Sequence, residues 1–256
     1  MLRKRLIFGL IHNNGGFMQS RNFRLQRVGD INWLEKNYKF QKISFSLDEL
    51  LVIDATKGTK DIEKFSSLVS QLVEDVFIPV AAGGGIRKIE DAELLFNSGA
   101  DKVVLNSPLY NDPELASEII NRFGSQSLVA SVDYKVIDGV PVVHINDGTT
   151  AIPISLEDYL QHLEQLEVGE IIFNSIDKDG TGFGYDIDNI EKYAKAVNMP
   201  FIIMGGAGNE HHLSSGLSID GVSGVATANL FNFIGSGLPN ARSFMLEHGA
   251  NLARWE

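Results

Sequence analysis

The sequence predicts a single (β/α)8 barrel made of two fused (β/α)4 halves, and three observations predict it. The chain has 256 residues, 44% apolar and 21% charged, enough to bury one core of barrel size over residues 1–256. Short apolar runs alternate with amphipathic helical stretches along the chain, the pattern of parallel strands linked by crossover helices. Gly83-Gly84-Gly85 also recurs as Gly205-Gly206-Ala207, a shift of 122 residues (205 − 83), and that shift lays Leu6 to Ile11 over Leu128 to Asp133. A doubly wound sheet would alternate in the same way, but evenly spaced units favour closure.

In chain order, the first strand is expected at about 5–11. The run from Leu6 to Ile11 is shorter than the core of a signal peptide and has no small-residue cleavage site after it. Residues 12–29 are rich in Asn, Gly, Gln and Arg, the composition of a mobile lid over the strand ends. Further strands are expected at about 49–54, 77–83, 102–106, 127–133, 170–176, 200–205 and 222–228. Helices are expected between them, including 61–73, 89–98, 113–123, 156–166, 187–197 and 241–248. Residues 136–151 interrupt this rhythm, and Val140 to Ile145 followed by Asp147-Gly148 reads as a hairpin after strand five.

The net charge of −11 argues against a nucleic-acid partner, since no surface neutralises a phosphate backbone. Small phosphorylated ligands need only local donors and stay open. With no cysteine, disulfides and thiolate chemistry are excluded, which fits a cytoplasmic setting. No apolar run reaches the length of a membrane span. The six histidines are scattered or adjacent rather than set at ligand spacing, so no metal and no cofactor is expected.

In a barrel of this class the reactive groups sit at strand C-termini. The expected tips carry Asp54, Asn106, Asp133, Asp177 and Asp179. Carboxylates facing one another across the barrel suit proton transfer, provided their surroundings separate their pKa values. Asp133 stands out because Ser131-Val132-Asp133 ends an otherwise apolar strand in a charge. The loop Asp177-Lys178-Asp179-Gly180-Thr181-Gly182 joins carboxylates to glycines, with Asp186 placed to start the next helix. The two glycine clusters precede helices whose amides favour an anion, so a ligand with a phosphate at each end is expected. Arg5, Glu49, Lys102 and Glu170 stand at strand starts; pointing inward, they would plug the barrel bottom with charges of alternating sign.

Over nearly its full length the chain resembles the cyclase subunit of imidazole glycerol phosphate synthase. The matching stretches include Lys4-Arg5, Asp48 to Asp54, Gly83 to Ile86, Gly99 to Asn106, Ser131 to Lys135, Ser175 to Asp186 and Gly205 to Gly208. The resemblance implies a barrel that receives ammonia from a glutaminase subunit docked on its bottom, as a heterodimer, and uses it to cleave and cyclise a doubly phosphorylated precursor. It implies a catalytic role for Asp133, with Asp54 and Asp179 lining the active site beside Asn106 and Ser107. Gly85, Asn106 and Ser107 match one phosphate site, and Gly180, Gly206, Ala228 and Asn229 match the other. Arg5, Glu49, Lys102 and Glu170 match the ammonia gate, and Asp101 matches a contact to the glutaminase.

The departures fall in the chemistry. Ile11 stands where the family has its first catalytic aspartate, Gln19 where it has a loop lysine, and Met204 and Asn229 where serines are usual. Gate and docking positions are kept while half of the acid–base pair is lost. That pattern is similar to cyclase paralogues that accompany sugar amidotransferases in surface-polysaccharide pathways. The expected function is therefore ammonia delivery for conversion of an acetamido to an acetamidino group. The alternatives are a working histidine-biosynthesis cyclase and a non-catalytic activator of the glutaminase.

Overall fold

A computed structural model describes residues 3–254. Strand β1 (Arg5–Asn13) continues into an antiparallel extension, β2 (Gly16–Arg21) and β3 (Arg24–Gly29). Helices α1 (Ile31–Tyr38) and α2 (Phe40–Ile43) then lead to β4 (Glu49–Asp54), α3 (Ile62–Asp75), β5 (Val80–Gly83), α4 (Ile89–Asn97) and β6 (Lys102–Leu105). A short α5 (Pro108–Asn111) and α6 (Pro113–Phe123) precede β7 (Leu128–Ile137), which turns back through β8 (Val140–Ile145) and β9 (Thr150–Ala151). The chain finishes with α7 (Leu156–Gln165), β10 (Glu170–Ser175), α8 (Ile187–Tyr193), β11 (Phe201–Met204), α9 (Glu210–Ser218), β12 (Val222–Thr227) and α10 (Gly237–Glu247).

The barrel strands β1, β4, β5, β6, β7, β10, β11 and β12 pair in parallel, and β12 returns to β1 with Arg5 opposite Gly224. Closure follows from side chains that alternate between two buried faces. Inward residues Ile7, Leu51, Ala81, Val104, Val129, Ile172, Ile202 and Ala226, one from each barrel strand, form a compact apolar plug. Outward neighbours such as Leu6, Leu50, Val103 and Leu128 pack under the helices. The predicted (β/α)8 barrel is thus the observed fold.

The differences have local causes. Residues 16–29, within the stretch expected as a lid, pair as an antiparallel hairpin, which composition alone does not specify. Asn14-Gly15 and Asn22-Phe23 supply paired positive φ values (45° and 76°, 50° and 60°), the two-residue turns whose twist matches antiparallel strands. After β7 the turn is Asp138-Gly139 (φ 50° and 80°), while Asp147-Gly148 lies in the later connection from β8 to β9. Asp186 does occupy the N-cap position of α8, but its carboxylate accepts from Tyr134 Oη (2.8 Å) and Asn189 Nδ2 (2.8 Å) instead of a helix amide. Helices α1 and α2 escape the sequence reading, α9 is the helix expected after the second glycine cluster, and α10 begins earlier than expected.

Candidate active site at the top of the barrel

Because the parallel strands all end on one side, their tips surround a cavity of about 490 Å³ at the barrel top. Asp54, Asp133 and Asp179 line it together with Gly85, Asn106 and Ser107, so six of the expected site residues share one space. Ile11 and Met204 line it too, presenting apolar side chains where β1 and β11 end.

The three carboxylates have different surroundings. Asp133 is 8% exposed and receives Asn174 Nδ2 (2.9 Å), Asn106 Nδ2 (3.2 Å) and Ser131 Oγ (3.4 Å). Burial pushes its carboxyl up to about 7, against the opposing effect of the Asn174 and Ser131 hydrogen bonds. A proton therefore enters or leaves it close to neutral pH. Burial also raises Asp179, but its carboxylate is engaged by Ser20 Oγ (2.5 Å) and the Phe23 amide (3.0 Å), which fasten the β2–β3 hairpin over the barrel. Asp54 is buried as well, yet His12 Nδ1 (3.2 Å) and the Thr56 hydroxyl (2.6 Å) and amide (3.1 Å) outweigh that burial and hold it below its usual range.

Asn174 is the site residue that sequence reasoning passed over. It is 7% exposed, lines the cavity, and its Oδ1 has no hydrogen-bond partner. An unmatched buried acceptor costs free energy unless something donates to it. Lys60, Arg87 and Lys57, also unremarked in the sequence, line the same cavity on the first-half side. Asp177 belongs to the loop framework, its carboxylate accepting the Val136 amide at 2.8 Å.

Gly180, Gly206, Ala228 and Asn229 lie outside the lining of this cavity. The hairpin leans directly on the first of them, since a Cβ built on Gly180 would stand 1.9 Å from the Ser20 carbonyl oxygen. Gln19 accepts the Leu230 amide through Oε1 at 2.8 Å.

At the opposite end of the barrel, Arg5, Glu49, Lys102 and Glu170 point inward and close a ring. Arg5 pairs with Glu49 (2.7 Å) and Glu170 (2.6 Å), and Lys102 pairs with Glu49 (3.0 Å) and Glu170 (2.6 Å). Each carboxylate thus meets two cations. Burial would raise Glu170, but Arg5 and Lys102 overcome it and keep its carboxyl low. The apolar plug lies between this ring and the cavity. Asp101 is exposed just before β6, and its carboxylate accepts the Val80 amide at 2.8 Å.

Three buried carboxylates around one cavity at the strand ends, above a charged ring at the base, give the layout of (β/α)8 barrels whose functional groups sit on strand C-termini. The sequence profile described as histidine biosynthesis protein matches residues 21–235. The chain belongs to this family, and within it to the HisF-like cyclases. It is 41% identical over 256 residues to a protein of Parasynechococcus marenigrum provisionally named imidazole glycerol phosphate synthase subunit hisF2, covering 100% of this chain and 95% of that one. It is 35% identical over 234 residues to the synthase subunit HisF of Flavobacterium psychrophilum, covering 91% and 92% of the two chains. Against HisF of Hydrogenobaculum sp. the identity is 34% over 254 residues, covering 98% and 99%. Among the described residues no helix is long and apolar enough to cross a membrane.

Proposed function

We propose that this chain is the ammonia-conducting barrel of a glutamine amidotransferase complex. A glutaminase docks on the face of strand starts, where Asp101 is exposed, and releases ammonia against the ring of Arg5, Glu49, Lys102 and Glu170. Neutral ammonia crosses the apolar plug more readily than any ion, because a charge would lose its hydration there without a partner. It emerges among Asp133, Asn106 and Asn174, where Asn174 Oδ1 is the unmatched acceptor and Asp133 the group that exchanges a proton near neutral pH. Gly85, Asn106 and Ser107 hold a phosphorylated ligand beside it. The product serves a third, amidating enzyme, and an acetamidino-forming sugar amidotransferase of surface-polysaccharide synthesis fits that role.

The observation that carries this reading is the complete charged ring beneath a site whose β1 tip is Ile11. Gate and bore are retained, while one of two proton-transfer groups has become a side chain that moves no proton. Loss of such a group costs about 10²–10⁴-fold in rate. The names of the relatives favour a second reading, a working histidine-pathway cyclase whose proton transfer runs through Asp133 and another carboxylate.

The two readings separate in one assay. Purified protein is given excess ammonium and the doubly phosphorylated cyclase substrate, with no partner added. The ammonia-delivery reading expects no turnover from folded protein, and robust cyclisation would replace it with the cyclase. Restoring aspartate by Ile11→Asp should leave the native, glutamine-dependent reaction no faster.

A further inference from the structure

Among the described residues, the large apolar side chains left exposed all lie on the two end faces of the barrel, and none lies on its helical sides. Phe45 and Phe77 precede β4 and β5 at the base. The others stand at the top, in connections of the second half. Ile137 and Val140 face each other at the tip of the β7–β8 hairpin, Phe183 lies between β10 and α8, and Phe231 and Ile234 lie between β12 and α10. Phe183 is the most open of these, 83% exposed. A single exposed apolar side chain is ordinary, but a set gathered on one face marks a surface that something covers.

These connections touch one another. The Val136 amide donates to Asp177 (2.8 Å), which ties the β7–β8 hairpin to the β10–α8 connection. A Cβ built on Gly182 would stand 3.8 Å from Asn232 Nδ2, so the β10–α8 and β12–α10 connections meet beside Phe183 and Phe231. The β2–β3 hairpin leans on both, with Arg21 Cα 2.7 Å from where a Cβ on Gly180 would be and Gln19 bonded to the Leu230 amide (2.8 Å). That hairpin adds charge to the face. Arg21 and Arg24 stand directly opposite each other across its turn, and both are exposed. Neither side chain has an ion pair or hydrogen bond among the described residues, in a chain whose net charge is −11. Like charges directly opposite destabilise a strand pair. An anionic surface laid over the two arginines would remove that cost.

We infer that this face is the docking surface for the enzyme that consumes the ammonia, and that this partner lays carboxylates on Arg21 and Arg24 beside an apolar recess that takes Phe183. The inference rests on the ammonia-delivery reading above and gives it a second interface. Ammonia that left the cavity into water would take up a proton and lose the lone pair with which it attacks, so its consumer has to cover the mouth. Ser20, Phe23 and Leu25 of the same hairpin line the cavity, which places a partner seated on Arg21 and Arg24 at that mouth. Aromatic and arginine side chains are also the ones that dominate interface energies. Glutaminase at the base and amidating enzyme at the top then occupy opposite ends of one bore.

The test uses the full chain with its glutaminase, titrated with a purified acetamidino-forming sugar amidotransferase of the same organism. Association and product formation are read in the same samples, and circular dichroism verifies the folding of each variant. Arg21→Glu combined with Arg24→Glu should weaken the association by about tenfold or more, and so should Phe183→Ser. Added salt should weaken binding of the unaltered chain and have much less effect on the double arginine variant. In both variants glutamine hydrolysis and ammonium-driven amidation should stay as in the parent, while glutamine-driven amidation falls. Parent-like affinity in both variants, or glutamine-driven amidation without measurable association, would overturn the docking face and leave ammonia delivery standing. A dimer of the chain alone in analytical ultracentrifugation, dispersed by Phe183→Ser, would overturn it too, by giving the face to a second copy. No glutamine-driven amidation with the unaltered chain would overturn the ammonia-delivery reading and this inference with it.

Discussion

At the scale of the residue, Asp133 carries the clearest physical signature. Its carboxyl is buried, flanked by two asparagine side chains, and raised to about 7. A group whose folded pKa lies above its unfolded value of 3.8 favours folding below that value, and the contribution is lost as pH rises toward 7. Asp133→Asn removes this dependence, so the variant should gain stability relative to the parent between pH 4 and pH 8. The gain should be on the order of a few kcal/mol, read from urea unfolding at both pH values. Equal differences at the two pH values would show that Asp133 is charged throughout. The same substitution removes the titrating carboxylate hydrogen-bonded to Asn174, so proton-dependent chemistry that runs through Asp133 should lose its pH profile near neutrality. Asp133 was legible in the sequence because a lone charge closes an apolar strand. Asn174 was not, because an asparagine inside an apolar run gives no sign of whether its amide is paired.

At the scale of the element, the β2–β3 hairpin decides what the barrel top exposes. Asp179 holds it through Ser20 and Phe23, and Asn22 adds a backbone bond to the Asp179 carbonyl (3.0 Å). Asp179→Ala should therefore loosen residues 16–29 specifically. Hydrogen exchange should accelerate by at least about tenfold there, the loss of charge-assisted bonds worth roughly 1.5–3 kcal/mol, with the barrel strands unchanged. Uniform acceleration across all strands would instead make Asp179 a general stability residue. Gly180→Ala should act in the same place, because its Cβ would collide with the Ser20 carbonyl and its φ is +66°. The barrel strands were readable since strands buried on both faces are continuous apolar runs. The hairpin was harder, its β3 face being exposed Arg and Gln, although Asn14-Gly15 is a strong turn signal in the sequence. Helix α9, with His211-His212 and Ser214-Ser215 in a short span, has a weak apolar period, so the glycine cluster before it announces it better than its own pattern does. The contact from Gln19 to Leu230 joins residues 211 apart, so no local pattern announces it.

At the scale of the whole molecule, the repeat and the charged ring make different demands. The repeat survives in geometry, with β1 and β7 each prolonged into a hairpin, while the two strand tips have diverged to Ile11 and Asp133. The ring binds four strands into one circuit at the base, where Glu49 and Glu170 have side chains only 4% and 6% exposed. Removing one cation strands a buried carboxylate, which costs about 3–5 kcal/mol, whereas neutralising cation and carboxylate together costs far less. Lys102→Met should accordingly lower the unfolding temperature, and Lys102→Met with Glu49→Gln should recover most of that loss. Function should not follow stability. In a reconstituted complex both variants should leave glutamine hydrolysis running while product formation falls, and added ammonium should restore product in each. If the double variant regains glutamine-coupled synthesis together with its stability, the ring is a structural clasp and the gate must lie elsewhere. If coupling stays lost in a protein as stable as the parent, the alternating charges are retained for passage of ammonia.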